Sequence, residues 1–350
     1  MLGFTYNGKH SSELKVKYIP DAIERGDFYT DFEVIGIERS WFAGGEYFKA
    51  RTKTKVFDLS CYYEYITRAE REAIIAWLDR RTSGELIFDE RPYASYKVRP
   101  SKKIEFKDYL QRVGNEDLFS GTFTITFSAY YPFADLLYET SDDLEEEFVH
   151  ETHLLPHSMM PPSVSEDSTE FLVYNPGTEV GHSVIQFAGN TGSGNFTIRN
   201  VTTGDACTIR NGLNTADEVH YELTSKYGRA EDVERGYRSL NFTFHDDGYI
   251  TFAPCEIVAR DISVSTTTGS REIKSNGLFD DSLIGKYIYL DSGWRYIGDV
   301  LDSSTLTTNV NAATTKTVVT HIVTMNYLTV TKASDATVKT LKVECKAEVR

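Results

Sequence analysis

The sequence predicts a mainly β protein in which a single helix stands among strands, and three observations predict it. Tyr and Phe number 22 and 20 against 4 Met, and aromatics make up 13% of the 350 residues, a bias toward side chains that pack on pleated surfaces. Alternation with period two recurs along the chain. It is clearest from Gly121 to Tyr131, with Phe123, Ile125, Phe127 and Ala129 on one face and Thr122, Thr124, Thr126 and Ser128 on the other. One stretch alone, Thr67 to Phe88, carries a helical period. At this length two domains are expected: an N-terminal α+β domain over 1–140, a linker over 141–170, and a β-sandwich over 171–350.

Thr67 followed by Glu70 forms a capping box, so the helix starts there. Ala73, Ile74, Trp77 and Leu78 fall on one face, and Arg68, Glu72, Asp79 and Arg80 on the other. The apolar face should lie on a sheet. Gly84 fits the left-handed residue that commonly ends a helix, after which Leu86-Ile87-Phe88 resumes as a short buried strand.

Before the helix, Phe4 to Lys9 alternates around Asn7-Gly8, a pair that favours a tight hairpin. Phe32 to Ile37 and Lys49 to Tyr65 read as strands, with a break from Trp41 to Gly45. After it, Asp89-Glu90-Arg91-Pro92 turns the chain. Tyr93 to Arg99 and Lys103 to Phe106 then read as strands interrupted at Pro100, together an extended hairpin arm.

Composition shifts near Thr140. Asp142, Asp143, Glu145, Glu146 and Glu147 form an acidic run, and Pro156, Pro161 and Pro162 follow among serines, which is linker chemistry. Short strands at sandwich-like intervals then begin at Phe171 and run through Val184–Phe187, Phe196–Ile198 and Ala206–Ile209. Leu240, Phe242 and Phe244 turn through Asp246-Asp247-Gly248 to Ile250 and Phe252, and Leu341 to Val349 alternates as a final strand. The strands around Tyr287–Leu290 and Trp294–Ile297 fit either more of the sandwich or a small inserted β-barrel; the insert, at about 261–325, is preferred.

The formal charge of -15 repels phosphate backbones, so specific nucleic-acid binding is disfavoured. Cys61, Cys207, Cys255 and Cys345 stand apart without C-x-x-C spacing and read as four reduced thiols. No basic region precedes an apolar run at the N-terminus, and no stretch is long and apolar enough to cross a bilayer. The expectation is therefore no membrane partner, with synthesis and folding in a cytoplasm.

Candidate chemistry is sparse. His150, His153 and His157 would share a helical face, but Pro156 weakens the helix and solvated linker histidines explain them better. The Gly189–Gly194 run lacks the lysine and following helix of a phosphate loop and reads as a flexible hairpin loop. Arg25-Gly26-Asp27 reads as a turn, and His245-Asp246-Asp247 occupies another. No nucleophile elbow is present. Asn195, Asn200 and Asn241 sit in N-x-T sequons that carry no meaning in a bacterial or viral source. Trp294, among tyrosines, could stack on a sugar, although core or interface packing is the commoner use of such a ring. No metal or cofactor is expected.

The Asn7-Gly8-Lys9-His10-Ser11-Ser12 opening, the Trp77-Leu78 helix running into Gly84–Glu90, and the Phe123–Phe127 strand closing with Tyr131-Pro132-Phe133 resemble the N-terminal domain of siphophage distal tail (Dit) proteins. Tyr174-Asn175-Pro176-Gly177-Thr178 and the hairpin to Phe252 resemble that family's galectin-like C-terminal sandwich. The resemblance is good to about residue 140, looser from 171 to 260 and poor from 261 to 325. It implies a virion structural protein and no enzyme: a homohexameric ring at the tail tip, joining the tail tube protein to a tail-associated lysin or hub, with DNA crossing a negative lumen. It also implies that the arm, here the region from Pro92 to Gly121, embraces the neighbouring subunit, with Tyr93, Tyr96, Val98, Ile104 and Phe106 at the contact, and that the periphery meets a receptor-binding protein or host-wall glycan. The rival reading is a host-wall carbohydrate-binding protein using the sandwich or the insert, with Trp294 as its sugar contact. A wall-degrading enzyme ranks last, for want of an assembled nucleophile or acid.

Overall fold

The computed structural model describes residues 3–18, 32–38, 45–79, 82–113, 116–149, 152–164, 167–209, 219–224, 229–232, 237–238, 242–244 and 250–349; residues 32–38, 45–52, 113 and those between 219 and 244 are described by backbone alone. The chain divides into two compact units, 1–137 with 349–350, and 138–348. The predicted tripeptide at Arg25, the turn at His245–Asp247, His150 and the sequon at Asn241 lie outside the described residues.

In the first unit, strands follow the order Lys9–His10, Phe4–Tyr6, Gly84–Phe88, Arg91–Pro100, Glu116–Ala129, Lys55–Ile66 and Lys17–Tyr18. Asn7 and Gly8, with φ of 52° and 72°, make the two-residue turn that the first hairpin needs. The sheet folds over on itself around aromatics: Tyr6 meets Phe127 at 4.8 Å between ring centroids, and Phe57 meets Phe88 at 5.3 Å and Tyr96 at 4.9 Å.

The helix Arg68–Leu78 begins on the expected capping box, with both Thr67 and Glu70 side chains bonded to backbone. Its Trp77 ring stacks on Phe4 at 5.5 Å, and its indole N–H donates to the Tyr6 carbonyl at 2.9 Å. Two expectations are corrected here. Ala73 is exposed, and the buried stripe is Ile74, Trp77 and Leu78. Gly84 does not end the helix, which is capped at Asp79; it opens the strand Gly84–Phe88. A Cβ there would stand 2.1 Å from Asn7 Oδ1, so glycine makes room for the side chain of the first turn.

The strand Glu116–Ala129 pairs along one edge with Lys55–Ile66. Along the other it pairs first with Glu105–Val113 and then, at Phe127 and Ser128, with Arg99 and Pro100. Its far end is buried on both faces: Thr126, whose hydroxyl donates to the Asp58 carboxylate, and Ser128 are covered as well as Phe127. A further hairpin pairs Phe32–Glu38 with Gly45–Thr52.

In the second unit, residues 141–160 pack closely despite their linker composition. Leu154 and Leu155 are fully buried, and short helical turns span Ser141–Asp143, Glu146–Val149 and His157–Met159. Beyond them stands a sandwich of two antiparallel sheets. One runs Glu170–Val173, Asn326–Thr331, Phe196–Asn200, Ala206–Ile209, Phe242–Phe244; the other centres on Gly181–Asn190, flanked by Val219–Thr224 and Thr337–Lys346. Ile185, Phe187 and Leu341 meet Phe196, Ile198 and Leu328 between them.

Buried asparagines fix the edge of this sandwich. Asn175 donates through Nδ2 to the Glu179 and Phe252 carbonyls and accepts from Gly177 N–H at 3.0 Å. Asn326 pairs both ways with Ala253, and Asn200 donates to the Thr251 carbonyl at 2.7 Å. The Gly189–Gly194 loop is held in place, since Asp335 accepts the backbone N–H and hydroxyl of Ser193.

Between Phe252 and Asn326 the chain forms a closed six-stranded barrel in the order Ile257–Thr266, Glu272–Lys274, Thr305–Thr308, Gly293–Asp302, Tyr287–Leu290, Lys316–Val323. Its core is separate: Val264, Ile273, Ile288, Ile297, Leu306 and Ile322. Its first and last strands pair with each other from Ile257↔Val323 onward, so the chain enters and leaves side by side. Leu155, Tyr174, Cys255, Val323 and Met325 form the cluster joining barrel to sandwich.

Candidate interaction surfaces

The hairpin of Glu105–Val113 and the first half of Glu116–Ala129 is anchored at its base. Gly121 sits there because a Cβ would lie 2.7 Å from both Asp108 Cα and the Lys107 carbonyl oxygen. Phe106 packs on Phe123 at 5.0 Å and near Tyr63 at 6.3 Å. Arg71, reaching from the helix, pairs with Asp108 and lays its guanidinium over Phe106 at 5.1 Å. Partial burial raises the Asp108 pKa, but the Arg71 pair more than offsets this and holds the carboxyl below its ordinary range. Burial, helped by the Asp108 charge, pushes the Tyr63 phenol up to about 12.

Further along, Glu105–Val113 is the edge strand of the sheet, and the hairpin's tip runs past the end of Lys55–Ile66. Tyr109 and Leu110 are 59% and 57% exposed, and as adjacent strand residues they point to opposite faces. Neither face is therefore covered at that point. Two large apolar side chains on an edge strand whose outer backbone edge is unpaired among the described residues are what a strand-mediated contact uses.

The five residues expected at a subunit contact fall into two groups. Tyr93, Tyr96 and Val98 lie on Arg91–Pro100, between two neighbouring strands, and are closed within the unit's own core. Arg91 donates to the hydroxyls of Tyr93 at 3.1 Å and Tyr96 at 3.0 Å, which completes their polar ends. Ile104 and Phe106 are half-buried at the hairpin's base. Tyr109 and Leu110 lie within the expected arm but are not among the contact residues that the sequence suggests. The signal was present in the sequence as two adjacent apolar residues in an otherwise alternating polar strand.

Trp294, expected at a sugar contact, is half-buried and occupied. Its indole N–H donates to the Met159 carbonyl at 2.8 Å, its ring packs against Tyr289 at 5.2 Å, and the Tyr289 hydroxyl donates to the Ser158 carbonyl at 2.6 Å. These rings tie the 157–160 segment to the barrel. Within the barrel, Asp291 is a second tie: Arg295 at 2.7 Å, Lys316 at 3.2 Å, the Thr314 hydroxyl at 2.6 Å and Ala313 N–H at 3.0 Å all reach its carboxylate. The Thr314 hydrogen bond, with those of Ala313 and Lys316 and the Arg295 charge, holds its pKa down at about 2.

Among the described residues, no group of three or more His, Cys, Asp or Glu is placed to hold a metal ion. His153 and His157 share no helix, because the helix Glu146–Val149 ends before them. Burial lowers the His153 pKa. The four thiols are unpaired in disulfides, and burial pushes Cys207 up to about 12 and Cys255 up to about 11. No helix among the described residues is long and apolar enough to cross a membrane.

An α+β unit with a hairpin at its edge, followed by a β-sandwich, is an arrangement shared with a solved phage protein. One solved structure similar to this chain is the crystal structure of the SPP1 Dit protein (gp 19.1), described as a paradigm of the hub adsorption apparatus in Gram-positive infecting phages. The likeness covers 93% of this chain and 99% of that one, at a TM-score of 0.50 and 12% sequence identity. No family model matches the chain, and comparison with the curated proteins gives no significant match.

Proposed function

We propose that this chain is a non-enzymatic structural subunit of a phage tail tip. It assembles with itself into a six-fold ring that joins the tail tube protein to a tail-associated lysin or hub, with DNA passing through the lumen. The observation that carries this reading is the fold shared with SPP1 Dit over nearly the whole of both chains. Two features agree with it. The uncovered hairpin gives a way to reach a neighbouring subunit, with Tyr109 and Leu110 making the contact, Ile104 and Phe106 bracing it, and Tyr93, Tyr96 and Val98 holding the frame behind. The charge of -15 suits a lumen wall along which a polyanion slides without sticking.

Light scattering across a concentration series tests the assembly. A species near six times the 39.7 kDa chain is expected, or exchange between three and six copies. The double substitution Tyr109→Ser with Leu110→Ser should shift the distribution toward monomer while leaving the melting temperature unchanged. A monomer at every concentration, in the chain mixed with its tail partners as well as alone, overturns the ring.

A further inference from the structure

The barrel strand Glu272–Lys274 runs into Ser275-Asn276-Gly277-Leu278. We propose that Asn276 is a site of spontaneous covalent modification in the folded chain, its side-chain amide lost as ammonia and replaced by a carboxylate.

The step needs only water. The Gly277 backbone nitrogen gives up its proton to hydroxide and bonds to Asn276 Cγ; the Cγ–Nδ2 bond then breaks, and the nitrogen leaves as ammonia after taking a proton from water. One further water opens the resulting succinimide. Attack at Cγ breaks its bond to the Gly277 nitrogen and gives aspartate. Attack at the main-chain carbonyl carbon breaks the other bond and gives isoaspartate, in which the chain runs through the former side chain. Nothing is oxidised or reduced.

The geometry decides where this can happen. Asn276 and Gly277 are exposed, and neither the Asn276 amide nor the Gly277 N–H has a hydrogen-bond partner among the described residues. Gly277 sits at φ 73°, and a Cβ on it would meet nothing within 4 Å, so the attacking nitrogen is open on all sides. The backbone is held only on either side of the pair, Ser275 N–H donating to the Ser304 carbonyl at 2.8 Å and Phe279 N–H to the Ser303 carbonyl at 2.9 Å. Between these two ties the chain can turn to bring Cγ onto the nitrogen without opening the barrel.

A second Asn-Gly pair shows what prevents the reaction. Asn7 and Gly8 have the same sequence chemistry, but they close a paired hairpin in which Tyr6 faces Lys9, and Asn7 N–H donates to the Glu85 carbonyl at 3.0 Å. The Asn7 amide fills the space over Gly84, where a Cβ would stand 2.1 Å from its Oδ1 and 2.6 Å from its Cγ. Its Cγ cannot swing onto the Gly8 nitrogen without leaving that seat. A third pair, Asn211-Gly212, lies outside the described residues.

The product stays folded, because Phe279 is buried in the barrel core just beyond the pair and anchors the loop. It adds a negative charge to a stretch that already carries Asp280 and Asp281.

Peptide mapping of the full chain, incubated folded and, as a control, unfolded in denaturant, tests the site. Trypsin releases Ser275–Lys286 and Met1–Lys9, in which Asn276 and Asn7 are the sole asparagines, so a gain of one mass unit assigns each without ambiguity. In the unfolded chain both peptides should gain it at matching rates. In the folded chain Ser275–Lys286 should gain it, faster as pH rises, while Met1–Lys9 does not; carboxyl methylation by an isoaspartyl methyltransferase should then label Ser275–Lys286. A folded chain in which Ser275–Lys286 keeps its mass over the time the unfolded chain reacts overturns the site. Matching rates for both peptides in the folded chain overturn the geometric selection. Asn276→Asp, which is the ordinary hydrolysis product, should keep the wild-type melting temperature, and a lowered one would overturn the claim that the product stays folded.

Discussion

Gly121 carries more of the hairpin than any larger residue could. The atoms a Cβ would strike are the Asp108 Cα and the Lys107 carbonyl, both backbone and both part of the facing strand, so relief requires the strands to part. Gly121→Ala should cost about 1–3 kcal/mol, read as a lowered denaturant midpoint. Asp291 makes the complementary case in the barrel. Its carboxyl titrates at about 2 in the folded chain against an ordinary 3.8, so folding favours the ionised form. That stabilisation is complete above pH 3.8 and disappears as pH falls through about 2. Asp291→Asn should therefore lower stability at neutral pH by about 2 kcal/mol. The gap between variant and wild type should close in acid, and a gap that persisted at pH 2 would refute the assignment. These residue roles differ in how far they could be read from sequence. The Thr67 and Glu70 capping box was legible because its two partners are three positions apart. The role of Gly84 was not, since its partner Asn7 belongs to the first hairpin, far away in sequence.

At the scale of elements, the helix and the hairpin behave as one piece through Arg71. The guanidinium leaves the helix, pairs with Asp108 and covers Phe106, so it fixes where the ribbon departs from the sheet. Arg71→Ala should cost about 1–2 kcal/mol. Hydrogen exchange should show protection lost across Glu105–Val113 but retained in the helix; equal loss in both would show that the contact stabilises the unit generally. Strand existence was well signalled by alternation, and the barrel could be anticipated from short strands around Tyr287 and Trp294. Which side chains a strand exposes was harder to read. Tyr93, Tyr96 and Val98 look like a surface pattern in isolation, yet strands on both edges and a folded-over sheet bury them. Burial of this kind depends on neighbours that periodicity does not identify. The segment 141–160 misled for a related reason: its acidic and proline content outweighed Leu154 and Leu155, the two residues that anchor it.

For the whole molecule, the charge of -15 sets the conditions of assembly. In the proposed ring, like-charged copies of the chain repel one another, and the repulsion falls off over about 10 Å at 0.1 M salt. If exposed apolar side chains make the contact, association should strengthen as salt rises, because screening removes the opposing term while burial persists. Light scattering at several ionic strengths reads this directly. A ring held mainly by ion pairs would instead dissociate as salt increased.

The barrel's two ends have an evolutionary consequence. Because Ile257 and Val323 are partners in one ladder, the entire barrel hangs from the sandwich on two neighbouring stems, with a hydrophobic core that borrows little from its host. Such a module can be gained, deleted or traded for another by events at a single point in the gene, without rewriting the sheets on either side. What the barrel presents can thus change while the sandwich beneath it stays the same.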